Sequence, residues 1–208
     1  MKLLFLSDDP MRTTLASPNG QKHYRVLTKT PLSSLQSSKS QVVSLRENTK
    51  RVVGEITWGS MGRKTMVRSD LFQSYLPDGT PAAHGKVDVN ELLYHTTFAR
   101  SRSFTGQDME EYKWKFVRTC GHELIHIPSG AVKALYNPFP EFVPAGLFKG
   151  RALTSLTIHP TCTLNMDIVV LTLIIVEKKR RDILCDPTAT APEHDEDPVE
   201  AGVESGMA

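Results

Sequence analysis

One short string in this 208-residue chain has the residue types and spacing of a catalytic metal site. Residues 122–126 read HELIH and match the HExxH pattern. On a helix, the two histidines would face the same way and bind Zn²⁺, while Glu123 would activate a metal-bound water. A third protein ligand would have to come from Glu141 or His159, and neither belongs to a recognisable motif. A zinc-dependent hydrolase is therefore one functional hypothesis.

The residues around this string predict a strand and not a helix. Glu111–Val117 alternates aromatic residues with lysines just before it, and Pro128 follows it closely. On a strand, His122 and His126 would lie about 13 Å apart along the chain, too far for one zinc ion. We therefore interpret HELIH as part of a strand that matches the motif by chance, and we expect no metal and no cofactor.

A second group of candidate residues is basic. All 25 lysines and arginines lie at or before Arg181, whereas seven of the 23 acids lie in Asp186–Ala208. The body of the chain is therefore strongly positive and suited to phosphates or anionic lipid. We predict a non-enzymatic binding module that contacts anionic lipid headgroups at a membrane surface through Arg63, Lys64, Lys178, Lys179 and Arg180.

Other function classes receive less support. The chain contains no Walker-type loop, no GxGxxG and no GxSxG, and its three cysteines form no CxxC pair. Aromatic residues alternating with lysines on a strand are typical of a core, so we expect no nucleic-acid partner. The acidic tail supports a third hypothesis, an intracellular scaffold that binds a basic partner.

The chain is expected to be cytoplasmic. Its N-terminal apolar run is shorter than the apolar region of a signal peptide. The apolar run Ile168–Val176 is about half as long as a membrane-spanning helix requires.

The elements that must position these residues are predicted to be mostly short strands. About ten segments of β-favouring residues are separated by turn signals, which is typical of an all-β barrel or sandwich. Asn19-Gly20 predicts a hairpin with a type I′ turn. Val87–Tyr94 fits either a short helix or a strand, and Asn137–Gly150, with three prolines, is predicted to be a loop.

The segment from residue 166 to 184 decides the architecture. Seven of the nine residues of Ile168–Val176 are β-branched, which favours a strand. The following EKKRRDIL favours a helix, with Asn165 or Asp167 as its cap and cations near its C-terminus. We favour a helix buried inside a β-barrel, because a surface helix needs a polar face. The prediction is one mainly-β domain over residues 1–184, a single antiparallel barrel enclosing this helix, followed by a disordered acidic tail at 185–208.

Three stretches in chain order resemble one family. They are KLLFLSDDPMRTTL, SRSFTGQDMEEYKWKF, and LFKGRALTSLTI with MDIVVLTLIIVEKKRRD. They are similar to an uncharacterised fungal family, abundant in basidiomycetes, over most of residues 1–184. The chain departs from that pattern at Gln73–Ala99 and Asn137–Pro144.

The resemblance implies a fold like the tubby-like and LURP-one-like barrels, in which strands enclose a C-terminal apolar helix. It also implies that GHELIH lies on a strand. No catalytic residues carry over from it. Tubby-like domains include phosphoinositide binders, so the resemblance suggests lipid binding by analogy of fold.

Overall fold

Strands dominate the computed structural model, which describes residues 1–29, 37–46, 50–59, 63–72, 86–94 and 101–185. Twelve strands occur within these residues: β1 (Lys2–Phe5), β2 (Thr13–Ala16), β3 (Lys22–Lys29), β4 (Lys39–Ser44), β5 (Arg51–Thr57), β6 (Met66–Arg68), β7 (Lys86–Asp88), β8 (Arg102–Thr105), β9 (Glu111–Val117), β10 (Gly121–His126), β11 (Val132–Phe142) and β12 (Ala152–Ile158). The helices are α1 (Val89–Leu92), α2 (Met166–Cys185) and a 3-10 turn at Asp70–Phe72.

All twelve strands belong to one antiparallel sheet. Its order is β7-β6-β5-β4-β3-β2-β1-β12-β11-β10-β9-β8, so the first and last strands of the chain pair in the middle. The edge strands β7 and β8 do not pair with each other. Helix α1 follows β7, and Tyr94 after it forms an isolated antiparallel bridge with Ser103 on β8. Within the residues that the structure describes, strand hydrogen bonds therefore do not close this sheet into a barrel.

Helix α2 packs against the sheet as the centre of the core. Its start is capped by Asn165, whose Oδ1 accepts a hydrogen bond from the Asp167 backbone N–H at 3.0 Å. Every side chain from Asp167 to Glu177 is buried. The prediction of a buried C-terminal helix is confirmed, and its physical cause is that an apolar run with no polar face must be covered on all sides.

Strands from both halves of the sheet reach this helix. Tyr24 on β3 hydrogen-bonds Asp167, and Trp114 on β9 hydrogen-bonds Thr172. On β5, a Cβ added to Gly54 would lie 2.8 Å from Leu171 Cδ2. A larger residue at this position would have to displace the buried Leu171 side chain, which accounts for a glycine within a strand.

Several element predictions need correction. Strand β8 was not predicted, and β11 continues to Phe142 through the predicted loop after Asn137. It tolerates prolines there because its register against β12 shifts between Asn137 and Glu141, at an irregularity that needs fewer ladder hydrogen bonds. The predicted type I′ turn at Asn19-Gly20 is also wrong. That turn requires a positive φ at both residues, and of these two only Gly20 has one, at 94°. Val87–Tyr94 proves to be both a strand and a short helix.

Some predictions fall outside the described residues. The acidic tail after Cys185 and most of Gln73–Ala99 belong to this group. In the part of the chain that the structure covers, no helix has the length and apolar character needed to cross a membrane.

The single polar residue in the apolar run of α2 provides a first testable prediction. Thr172 Oγ1 accepts from Trp114 Nε1 at 3.0 Å and donates to the Ile168 carbonyl at 2.7 Å. Thr172→Val keeps the shape but leaves the buried indole N–H without a partner, which we expect to cost about 1–3 kcal/mol of unfolding free energy. Adding Trp114→Phe removes that donor. Denaturant titrations should therefore show that the double variant loses less unfolding free energy than the two single variants lose in total. Additive losses would contradict the assignment.

Candidate functional site

The HELIH string lies on β10, as predicted from its neighbours. His122 is buried, and its Nε2 lies 3.1 Å from Glu177 Oε2 on α2. His126 lies at the other end of the strand, with its Nδ1 2.6 Å from Ser129 Oγ. Glu123 accepts a hydrogen bond from the Cys120 thiol at 3.4 Å. The three side chains of the zinc hypothesis therefore do not converge.

The proposed third zinc ligands are also engaged elsewhere. Glu141 accepts a hydrogen bond from Asn137 Nδ2 at 2.7 Å, and His159 Nδ1 lies 3.1 Å from Thr161 Oγ1. Among the described residues, no three His, Cys, Asp or Glu side chains are grouped so as to hold a metal ion. The geometry gives the hydrolase hypothesis no support, because a strand separates histidines that a helix would bring together.

Glu177 is the centre of a charged network where α2 leaves the sheet. Its carboxylate accepts hydrogen bonds from Arg180 Nε at 2.8 Å and Arg181 Nε at 2.7 Å, and it contacts His122. Burial alone would raise the pKa of Glu177, but hydrogen bonds from Arg180, His122 and Arg181 outweigh it and lower the pKa to about 2. Arg180 also lies over the Phe116 ring, 4.9 Å from its centroid. Two of the four consecutive cations therefore compensate a buried charge.

A matching network holds the N-terminal end of α2. Asp167 is fully buried and accepts a hydrogen bond from the Tyr24 hydroxyl at 2.6 Å. Arg46 and Arg51 form ion pairs with its two carboxylate oxygens. Burial, with the hydrogen bond to Asp167, raises the pKa of Tyr24 above its usual range. The two buried acids of α2, Asp167 and Glu177, thus fix the axial position of the helix, and neither is free for chemistry.

The remaining predicted cations are collected near the end of α2, with different partners. Lys178 forms an ion pair with Asp182 and lies 5.6 Å from the Trp58 ring centroid. Lys64 contacts Asp88 at 2.9 Å, which raises the pKa of its amine. Arg63, next to it, is exposed.

Lys179 is the predicted cation with the most unusual setting. Its Nζ donates to Asn90 Oδ1 on α1 at 2.8 Å. Burial lowers its pKa to about 8, and the nearby Arg102 guanidinium lowers it further, against the opposite effect of Asp88 and Asp182. No sequence pattern pointed to Asn90 or Arg102, because both join Lys179 only through tertiary packing.

Exposed apolar side chains lie at this same end of the sheet. Ile183 and Leu184, on the last turn of α2, are 60% and 69% exposed. Strand β11 pairs Tyr136 with His122 and runs on from there to Phe142, which is 77% exposed. Sequence patterns did not identify these residues, since exposure of single apolar side chains cannot be read from the sequence.

Comparisons with known proteins identify a family without an assigned activity. The model of DUF6593, described as a family of unknown function, matches residues 8–182. No curated protein and no solved structure matches the chain.

Proposed function

This chain belongs to DUF6593, a family of unknown function, and we propose that it is a non-enzymatic module that binds anionic lipid at a membrane surface. The contact surface is the end of the sheet from which α2 emerges. We name it the helix-exit surface; it consists of Arg63, Lys64, Phe142, Lys178, Lys179, Ile183 and Leu184.

The observation that carries this proposal is the combination of exposed apolar and basic side chains on one end of the molecule. Ile183 and Leu184 directly follow the cations on α2, and Phe142 lies at the same end. Proteins that bind at the membrane interface use apolar side chains to enter the acyl boundary and cations to attract anionic headgroups. An apolar cluster without cations would fit a protein partner as well.

The charge network divides the predicted headgroup ligands into two groups. Arg180 is committed to Glu177, so we assign it a structural role and exclude it from direct headgroup contact. In the described part of the chain, neither Lys178 nor Lys179 forms an ion pair with a buried carboxylate, so both remain headgroup ligands, together with exposed Arg63. Lys64 shares its charge with Asp88 and contributes less.

The fold supports the proposal by analogy. A twelve-stranded antiparallel sheet with a buried C-terminal helix is compatible with a tubby-like barrel in which the strands enclose α2. We propose this finer description, a fungal origin and a cytoplasmic location as one consistent hypothesis. Fold analogy alone does not assign a ligand, so the helix-exit surface bears the functional argument.

Vesicle sedimentation tests the proposal. Wild-type protein is mixed with phosphatidylcholine vesicles, with and without an anionic lipid, and should pellet only with the anionic vesicles. Ile183→Ser/Leu184→Ser should weaken binding at least about tenfold, because each apolar side chain removed from the acyl boundary loses roughly 1–2 kcal/mol. Both residues are exposed, so the melting temperature should change little.

The matched control lies at the opposite end of the sheet. Ile127→Ser/Val132→Ser removes two exposed aliphatic side chains beside the β10–β11 turn and should leave vesicle binding unchanged. Equal weakening by both double variants, or no pelleting of wild type with any vesicle, would overturn the proposal.

A further inference from the structure

A pair of half-buried cations lies beside α1, and no carboxylate among the described residues forms an ion pair with either of them. Lys179 donates to Asn90 Oδ1 at 2.8 Å, and Arg102 Nη1 donates to the Leu93 carbonyl at 3.3 Å. Asn90 belongs to α1 and Leu93 is its C-cap residue, so both contacts are made to the same short helix. This turn holds the two cationic heads close together.

The nearby carboxylates are already engaged. Asp88 forms its ion pair with Lys64 at 2.9 Å and caps α1 through the Asn90 backbone N–H. Asp182 pairs with Lys178. Among the described residues, no carboxylate lies within ion-pair distance of Lys179 or Arg102, and both partners that they do have are neutral oxygens.

Two adjacent cations in this setting repel each other and are partly desolvated. Burial lowers the pKa of Lys179 to about 8, with Arg102 as the second cause, and burial also lowers the pKa of Arg102. Both side chains retain N–H groups with no acceptor among the described residues. A bound anion would accept those hydrogen bonds and remove the repulsion at the same time.

We infer that Lys179, Arg102 and the α1 turn form a binding site for a phosphate monoester. A monoester carries more negative charge than a diester and offers several terminal oxygens, so it can accept from a guanidinium and an amine together. The phosphate could belong to a lipid headgroup or to a free phosphorylated molecule. This inference deepens the proposed function and, for the lipid source, rests on it.

Vesicles distinguish the two sources. Phosphatidic acid presents a phosphate monoester, and phosphatidylserine presents an anionic diester headgroup, so the two are compared at matched surface charge. Wild-type protein should prefer phosphatidic acid, and Lys179→Gln/Arg102→Gln should lose that preference by about tenfold, so that its remaining, weaker binding is equal on the two lipids. Lys178→Gln, which removes the neighbouring charge, should keep the preference.

Inorganic phosphate provides a second test of the site that needs no membrane. In wild-type protein it should slow acylation of the Lys179 amine at about pH 8, because a bound anion raises the pKa of that amine. Lys178, labelled in the same sample, is the internal reference. This measurement uses wild-type protein, so it remains decisive if the double variant fails to fold.

The possible outcomes separate the two proposals. Vesicle binding without preference for phosphatidic acid, together with no protection of Lys179 by phosphate, would overturn the monoester site and leave the membrane proposal standing. Protection of Lys179 without binding to any vesicle would support the site with a free phosphorylated ligand and reject the membrane proposal. Preference for phosphatidic acid that survives in the double variant would also overturn the site.

Discussion

Replacement of Ile174 by Asp is expected to abolish folding, and Val170→Asp should do the same. Both side chains are fully buried on α2, amid a core that extends across the sheet. An unpaired carboxylate transferred to such a site costs several kcal/mol, and a domain is stable by only about 5–15 kcal/mol. We expect the variants to be insoluble on expression, or to lack a cooperative thermal transition in circular dichroism.

The same helix offers a matched control for this prediction. Ile183 is 60% exposed on the last turn, so Ile183→Asp makes an identical chemical change in water. It should express normally and melt within a few degrees of wild type. Soluble Ile174→Asp protein with an unchanged melting temperature would disprove the buried position of α2.

Glu177→Gln is expected to remove much of the acid sensitivity of this protein. The pKa of Glu177 is about 2 in the folded chain, compared with an ordinary value of 4.5. Burial opposes this shift, and hydrogen bonds from Arg180, His122 and Arg181 produce it. Because the folded pKa is the lower one, the carboxylate stabilises the fold above about pH 4.5 and loses that contribution as the pH falls toward 2.

The size of the effect follows from the shift. At neutral pH, Glu177→Gln should lower the unfolding free energy by about 3 kcal/mol, since a pKa shift of one unit corresponds to about 1.4 kcal/mol. Denaturant titrations between about pH 6 and pH 3 should show wild type losing roughly 2 kcal/mol more than the variant. Other titrating acids are common to both proteins and cancel in the difference. Parallel pH dependence of the two proteins would contradict the assignment.

These two predictions concern the features of α2 that position the helix-exit surface. The apolar run fixes α2 in the core, and Glu177 compensates Arg180 and Arg181 where the helix leaves it. Lys178 and Lys179 follow Glu177 directly and therefore lie at the rim of the sheet. The position of the proposed lipid-binding cations is thus set by burial of a short apolar segment.

The local sequence determined the elements whose patterns are strong. Alternating aromatic residues predicted β9, with the same bounds as observed, and the strand nature of HELIH followed from it. The apolar run of α2 left both a strand and a helix open, and the helix-forming residues that follow it, with the lack of a polar face, favoured the buried helix that the structure shows. Strand β8 and the extension of β11 were missed, since partners across the sheet stabilise segments whose own propensity is weak.

What the sequence by itself determined is therefore the class of fold, the buried helix and the basic character of its end. Only the tertiary structure decided which cations are available, because ion pairing depends on neighbours that are distant along the chain. Arg180 belonged to the predicted site until Glu177 proved to engage it, and Arg102 joined Lys179 only because α1 brings Asn90 and Leu93 together. Composition sets the number of charges, but packing determines which of them lack a partner.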